Sequence, residues 1–60
     1  MKMKKWYSVE VRPEESEAIG IYCKTRGIRY EASSCFNMIH FEIELMENQV
    51  KPMNEFLSRI

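Results

Sequence analysis

Long apolar runs are absent from the sequence, since none approaches the ~20 consecutive apolar residues of a membrane-spanning helix. The N-terminal stretch MKMKKWYSVEV has the lysines of a signal peptide but no apolar segment after them, so we do not expect export. Linkers, repeats and low-complexity segments are absent as well. We therefore expect residues 1–60 to form one domain in the cytoplasm, without contact to a membrane.

Residue types that serve cofactors and catalysis are scarce. The only glycines are Gly20 and Gly27, which excludes a glycine-rich phosphate loop. His40 is the only histidine and Cys23 and Cys35 are the only cysteines, and these three residues do not form the closely spaced pairs typical of structural zinc sites. We expect no metal, no cofactor and no catalytic residue. In a reducing cytoplasm both thiols should stay free.

An excess of charge of one sign is also missing, because nine basic residues balance nine acidic residues. A neutral chain has no overall attraction to nucleic acid or to acidic membranes. The two halves differ, with seven basic and four acidic residues in 1–30 against two and five in 31–60. Such an asymmetry can orient a partner, but we expect it to cancel within the fold or between two subunits.

What is present is an ordinary globular composition, with 45% hydrophobic and 30% charged residues in periodic segments. Residues 4–11 alternate between apolar and polar side chains, which predicts a strand. Residues 28–34 predict a second strand, and residues 38–46, which alternate most clearly, predict a third. The segment SCFN between them predicts a turn longer than a two-residue hairpin loop.

Two further segments predict helices. Residues 13–26 begin with a proline, which suits the first helical position, and Gly27 follows as a typical left-handed C-cap. Gly20 lies inside this helix, opposite its apolar stripe, where we regard it as tolerated rather than required by close packing. The segment ENQVKPMNEFLSRI has an apolar stripe at the helical period. Its start is open, because an N-cap at Asn48 leaves Pro52 inside the helix, whereas a start at Pro52 leaves nine residues.

The order β-α-β-β-α predicts an α+β fold with a three-stranded mixed sheet. A right-handed crossover makes the first two strands parallel, the third returns antiparallel, and the expected spatial order is 1-3-2 with both helices on one face. This topology resembles a truncated ferredoxin-like sheet that lacks its last strand. The missing strand leaves the first strand at an edge. Pairing of two such edges across a twofold axis predicts a homodimer with a continuous six-stranded sheet.

The sheet face that the helices leave open is the candidate site. Trp6 is predicted to point outward there, although a register slip of one residue would bury it and expose Tyr7. His40 shares the face with two glutamates, but a small open sheet lacks the enclosed pocket of most active sites, so a solvated histidine is the better interpretation. The residues expected to bind a partner are Trp6, Ser8, Glu10, Arg29, Met38, His40, Glu42 and Glu44.

An acidic face with an aromatic residue favours a protein partner over a phosphate backbone, because glutamates repel phosphate while tryptophan is a typical interface anchor. We expect a small non-catalytic regulator or inhibitor that binds another protein through the open sheet face or the first-strand edge. A phage or mobile-element origin is expected from the size of the chain alone. The alternative is a nucleic-acid-binding regulator that uses the N-terminal lysines and Trp6.

Overall fold

In the computed structural model, which describes residues 3–60, strands and helices follow one another in the predicted order β-α-β-β-α. Lys2, one of the N-terminal lysines, lies outside the described residues. The elements are β1 (Lys4–Val11), α1 (Pro13–Thr25), β2 (Tyr30–Cys35), β3 (Met38–Met46) and α2 (Glu47–Arg59). The bounds of β1 and β3 agree with the prediction, whereas β2 begins and ends later than predicted.

The sheet has the predicted order β1-β3-β2 and is antiparallel throughout. The predicted mixed sheet is therefore wrong. β1 and β2 run in the same direction, but β3 lies between them and runs opposite to both, so every neighbouring pair is antiparallel. The register of the three strands can be given at Ile43 of β3, which stands opposite Tyr7 of β1 and opposite Tyr30 of β2.

The turn between β2 and β3 contains two residues, Phe36 and Asn37, because Cys35 pairs directly with Met38. The longer turn predicted for this segment is wrong. The φ angle of Phe36 is 58°, and a positive φ at the first turn residue is what primed hairpin turns use to match the twist of the strands. This conformation is costly for a residue with a Cβ. The Phe36 side chain is fully exposed, so no core contact offsets that cost.

Both ends of α1 are capped by local hydrogen bonds. The Arg12 backbone N–H donates to Glu15 Oε1 at 3.2 Å, and the Glu15 N–H donates to the Arg12 carbonyl at 2.9 Å. Gly27 follows the helix with a φ of 66°, and the Ile28 N–H donates back to the Cys23 carbonyl at 2.8 Å. The C-terminal bond closes a Schellman motif, which confirms Gly27 as the left-handed residue of the cap.

Gly20 faces β2 across a narrow gap. A Cβ at this position would lie 3.3 Å from the Tyr30 hydroxyl oxygen, closer than an ordinary van der Waals contact. A close neighbour therefore does lie at Gly20, the alternative that the sequence interpretation did not favour. The absence of a side chain lets the Tyr30 ring lie against α1.

The start of α2 differs from both predicted starts. The helix begins at Glu47, where the Met46 N–H donates to Gln49 Oε1 at 2.8 Å. Pro52 then lies inside the helix, exposed to solvent, and has no N–H for the Asn48 carbonyl four residues before it.

The core lies between the two helices and one face of the sheet, as predicted. The Tyr22 and Phe56 rings join α1 to α2, with centroids 4.3 Å apart. Below them the sheet contributes alternate residues of β3, which agrees with a strand buried on one face only. The buried hydrophobic residues are Val11, Ile19, Tyr22, Cys23, Ile28, Phe41, Ile43, Leu45 and Met53.

Candidate functional site

The sheet face opposite the helices is built from the residues that alternate with the core positions of each strand. Because Phe41, Ile43 and Leu45 point into the core, their neighbours along β3 point to the other side. These side chains are exposed or half-buried. The strand pairing sets them in rows: Trp6 with Glu44; Ser8 with Glu42 and Glu31; Glu10 with His40 and Ser33; Met38 with Cys35.

Trp6 lies on this open face, with 50% of its surface exposed. The outward orientation predicted from the alternation of β1 is therefore confirmed. Glu44 stands directly opposite Trp6 on β3, and its backbone N–H donates to the Arg29 carbonyl at 2.9 Å. Arg29 lies just before β2 rather than inside it, yet this bond extends the row so that Trp6, Glu44 and Arg29 cross the sheet together.

His40 is the centre of a polar cluster on the same face. Its Nε2 lies 2.6 Å from Glu42 Oε2, and its Nδ1 lies 3.7 Å from Glu10 Oε2. Ser8 Oγ donates to the same Glu42 oxygen at 2.8 Å. Two neighbouring strands thus contribute four side chains to one connected network, which the antiparallel register of β1 and β3 assembles.

The carboxylates change the protonation of the imidazole. The hydrogen bond with Glu42 raises the pKa of His40, and the negative charges of Glu42 and Glu10 act in the same direction. The pKa of Glu42 is lowered, mainly by its hydrogen bond with His40. The hydrogen bond that Ser8 donates to Glu42 lowers it further. The His40 side chain is 30% exposed, so solvent screens part of this interaction.

Compared with an isolated histidine, this arrangement favours the protonated form of the His40 imidazole. A protonated imidazole has two N–H donors and no lone pair, and both nitrogens of His40 face carboxylates. On the β2 side, the residue opposite His40 is Ser33 and not a cysteine, because Cys35 pairs with Met38. Within residues 3–60, no group of three or more His, Cys, Asp or Glu side chains could hold a metal ion.

The residues predicted for the site lie together on the open face, and the face is acidic. Met38 and Glu44 are half-buried, whereas Arg29 is exposed. Four glutamates lie on the face against two permanent cations, Lys4 and Arg29. The glutamates are Glu10, Glu31, Glu42 and Glu44.

Phe36 is the exposed residue that sequence analysis missed. It occupies the tip of the β2–β3 hairpin, at the end of the sheet where Met38 and Cys35 pair. The sequence feature that could have indicated its exposure is an aromatic residue inside the segment SCFN, which is predicted to be a turn. A side chain at the tip of a two-residue turn extends away from the sheet and cannot reach the core.

The fold and the open face define a small α+β protein with a three-stranded antiparallel sheet covered on one side. No protein-family model, curated protein or solved structure matches the chain. The likeness to a truncated ferredoxin-like sheet therefore stays a prediction. Neither helix within residues 3–60 has the length and hydropathy that crossing a membrane requires.

Proposed function

We propose that the chain is a small non-catalytic regulator or inhibitor that binds another protein through its open sheet face. The observation that carries this proposal is Trp6, a half-exposed aromatic side chain in one row with Glu44 and Arg29. Tryptophan and arginine are enriched among the interface residues that dominate binding free energy. A row that combines both residue types on one face of the sheet is a suitable anchor.

The charges around Trp6 indicate the chemistry of the partner. Four glutamates repel a phosphate backbone, so this face does not suit nucleic acid. They complement a basic protein surface and would speed its association. A protein surface that normally binds nucleic acid has this character, and a chain that covered it would inhibit that protein.

We further propose that the chain acts in the cytoplasm and as a homodimer. The Cys35 thiol is free and exposed, a state that a reducing compartment preserves. The edge of β1 supplies the surface on which two copies would join.

The test is capture of the partner from the source cells with Trp6→Ala and a matched control. Trp6→Ala should weaken partner binding roughly 30-fold or more, the loss expected for a central aromatic anchor. Ile21→Ala is the control, because Ile21 is a hydrophobic residue of α1 with 56% exposure that does not lie on the sheet. It should bind the partner like the wild type.

Salt and nuclease separate the two candidate classes of partner. Binding to a protein through Trp6 should survive moderate salt and nuclease treatment. Binding through phosphate contacts should weaken steeply with salt, and nuclease should abolish it. Nuclease-sensitive capture, or equal binding by Trp6→Ala and Ile21→Ala, contradicts the proposal.

A further inference from the structure

One side of β1 has no strand beside it within residues 3–60, since β3 is its only neighbour there. One hydrogen bond next to β2 is sufficient to work out which residues of β1 point their backbone N–H and C=O groups toward this free edge. The Glu44 N–H donates to the Arg29 carbonyl, so even-numbered residues of β3 bond toward β2 and odd-numbered ones toward β1. Tyr7 pairs with Ile43 and therefore bonds to β3. The residues that present N–H and C=O at the free edge are Lys4, Trp6, Ser8 and Glu10.

The helix side of this edge is incompletely covered. A groove of about 140 Å³ lies between β1 and α2, and its lining includes Tyr7, Val9, Val50 and Leu57. Tyr7 is 38% exposed, and Val50 and Leu57 are only partly buried against the core. Apolar side chains beside unpaired backbone groups form a surface that a further strand would complete.

We propose that a second copy of the chain occupies this edge, with its β1 antiparallel to the first β1 and the twofold axis at Tyr7. This inference rests on the homodimer proposed above and specifies its register. Backbone bonding requires the even-numbered residues of the two strands to face each other. Three alternative registers then give a long paired segment between the two β1 strands, with the twofold axis at Trp6, at Tyr7 or at Ser8.

Side-chain charge selects among these registers. With Tyr7 on the axis, Lys4 of each copy stands opposite Glu10 of the other, which makes two cross-strand pairs of opposite charge. With Ser8 on the axis, Lys4 instead faces Arg12 of the second copy, which lies past the end of β1, and no pair of opposite charges forms across the strands. With Trp6 on the axis, Lys4 faces Ser8 and the paired segment is shorter. Among the residues that the structure describes, 3–60, the Tyr7 register is the one that sets opposite charges across from each other.

The Tyr7 register also forms backbone hydrogen bonds along the edge and side-chain contacts on both faces of the sheet. It forms about eight backbone hydrogen bonds, two for each pair of facing even-numbered residues. On the helix side, Tyr7 meets Tyr7 of the second copy beside the groove that Val50 and Leu57 line. On the open side, the two Trp6 side chains lie diagonally near the axis. The result is one six-stranded sheet whose open face has paired tryptophans at its centre.

A cysteine scan tests the register directly. In a Cys35→Ser background, Tyr7→Cys should form a covalent dimer under mild oxidation, because residues that face each other in a non-hydrogen-bonded pair have Cα atoms ~4.5 Å apart. Trp6→Cys and Ser8→Cys are the controls and should crosslink much less. Efficient crosslinking at position 6 or 8 instead of 7 overturns the register while leaving the homodimer in place.

A charge exchange gives the second measurement and controls for folding. Lys4→Glu alone and Glu10→Lys alone should each weaken the dimer roughly tenfold, since each turns two attractive cross-strand pairs into repulsive ones. An equimolar mixture of the two variants should form a heterodimer with near wild-type affinity, because every pair is again of opposite charge. Sedimentation or light scattering measures the dimer affinity of Lys4→Glu alone, of Glu10→Lys alone and of their equimolar mixture. A mixture no tighter than the separate variants contradicts the Tyr7 register.

The same measurements on the wild type test the homodimer itself. A chain that stays monomeric at every concentration overturns both the dimer and its register. These experiments use the purified chain without a partner protein. Their failure is therefore distinct from loss of partner capture by Trp6→Ala, which tests the open face.

Discussion

On the open face, the His40 imidazole has an acidic partner at each nitrogen, Glu42 on its own strand and Glu10 on β1. An isolated histidine is a base near neutral pH. Here the hydrogen bond with Glu42 and the charges of Glu42 and Glu10 raise its pKa, which favours the protonated form. The pKa of His40 is thus set by neighbours on two strands, first by Glu42 on β3 and then by Glu10 on β1.

This cluster predicts a pH dependence of stability. The pKa of His40 is raised from 6.5, so its stabilisation is fully present below pH 6.5 and is lost as pH rises through the higher folded value. The pKa of Glu42 is lowered from 4.5, so its stabilisation is present above pH 4.5 and is lost on acidification through the lower folded value. The pair therefore stabilises the fold most between these two reference values. The urea midpoint should be higher at about pH 5.5 than at about pH 8.

His40→Gln is the control for this pH effect. Glutamine keeps a hydrogen-bonding group but does not titrate, so the difference between the two urea midpoints should shrink or vanish in the variant. A variant that keeps the full wild-type difference would show that another group is responsible.

Phe36 has a backbone conformation that a glycine would adopt at lower cost. Its φ of 58° is costly for a side chain with a Cβ but not for glycine, and its exposed ring makes no core contact that would be lost. Phe36→Gly should raise the free energy of unfolding by about 0.5–1 kcal/mol, measured by urea titration. Asn37→Gly is the matched control at the other turn position, where φ is not positive, and it should bring no such gain. Destabilisation by Phe36→Gly would mean that the ring contributes to the fold.

Among the elements, α1 shows how a helix adapts to the strand beneath it. Its caps follow from neighbouring residues, with Glu15 at the N-terminus and Gly27 at the C-terminus. Gly20 in its interior has a different cause, because the Tyr30 ring of β2 lies against it. The low helix propensity of glycine is the cost of this contact.

The Gly20–Tyr30 contact predicts a non-additive pair of substitutions. Gly20→Ala alone gains helix propensity but places a Cβ 3.3 Å from the Tyr30 hydroxyl oxygen. In a Tyr30→Phe background that oxygen is gone, and the nearest remaining atom in the gap lies 3.9 Å away. There Gly20→Ala should stabilise by up to about 1 kcal/mol, more than in the wild type. A double-mutant cycle in urea measures the coupling, and strict additivity would contradict the contact.

The molecule has a small core that supports a sheet with one open face. Ile43 is at the centre of this core, 1% exposed, with Tyr7 and Tyr30 on either side of it in the sheet. A chain of 60 residues buries a smaller fraction of its surface than a larger domain does, so each core residue carries a large share of the stability.

Ile43→Ala should therefore unfold a large fraction of the molecules. The expected loss is about 2–5 kcal/mol, against a total of about 3–5 kcal/mol for a core of this size. Far-ultraviolet circular dichroism during urea titration measures the change. Ile21→Ala, at an exposed position of α1, is the control and should change stability by less than about 0.5 kcal/mol. Similar losses for both variants would show that the core is not where the structure places it.

Patterns along the chain were sufficient to predict the elements and most of the open face. The alternation in β3 and β1 defined their bounds and the outward side of Trp6, because side chains of a strand change faces at every residue. The same alternation placed His40, Glu42 and Glu44 on one face. Such signals are local and need no knowledge of neighbours.

Contacts between elements could not be predicted in this way. The two-residue turn at Phe36, the contact of Gly20 with Tyr30, and the choice of Glu10 and Ser8 as neighbours of His40 and Glu42 all depend on strand register or helix position. Register is decided by how whole strands and helices bury their apolar faces together. The local alternation of residue types is therefore enough to predict which side chains face outward, whereas the packing of the elements sets which of those side chains are in contact.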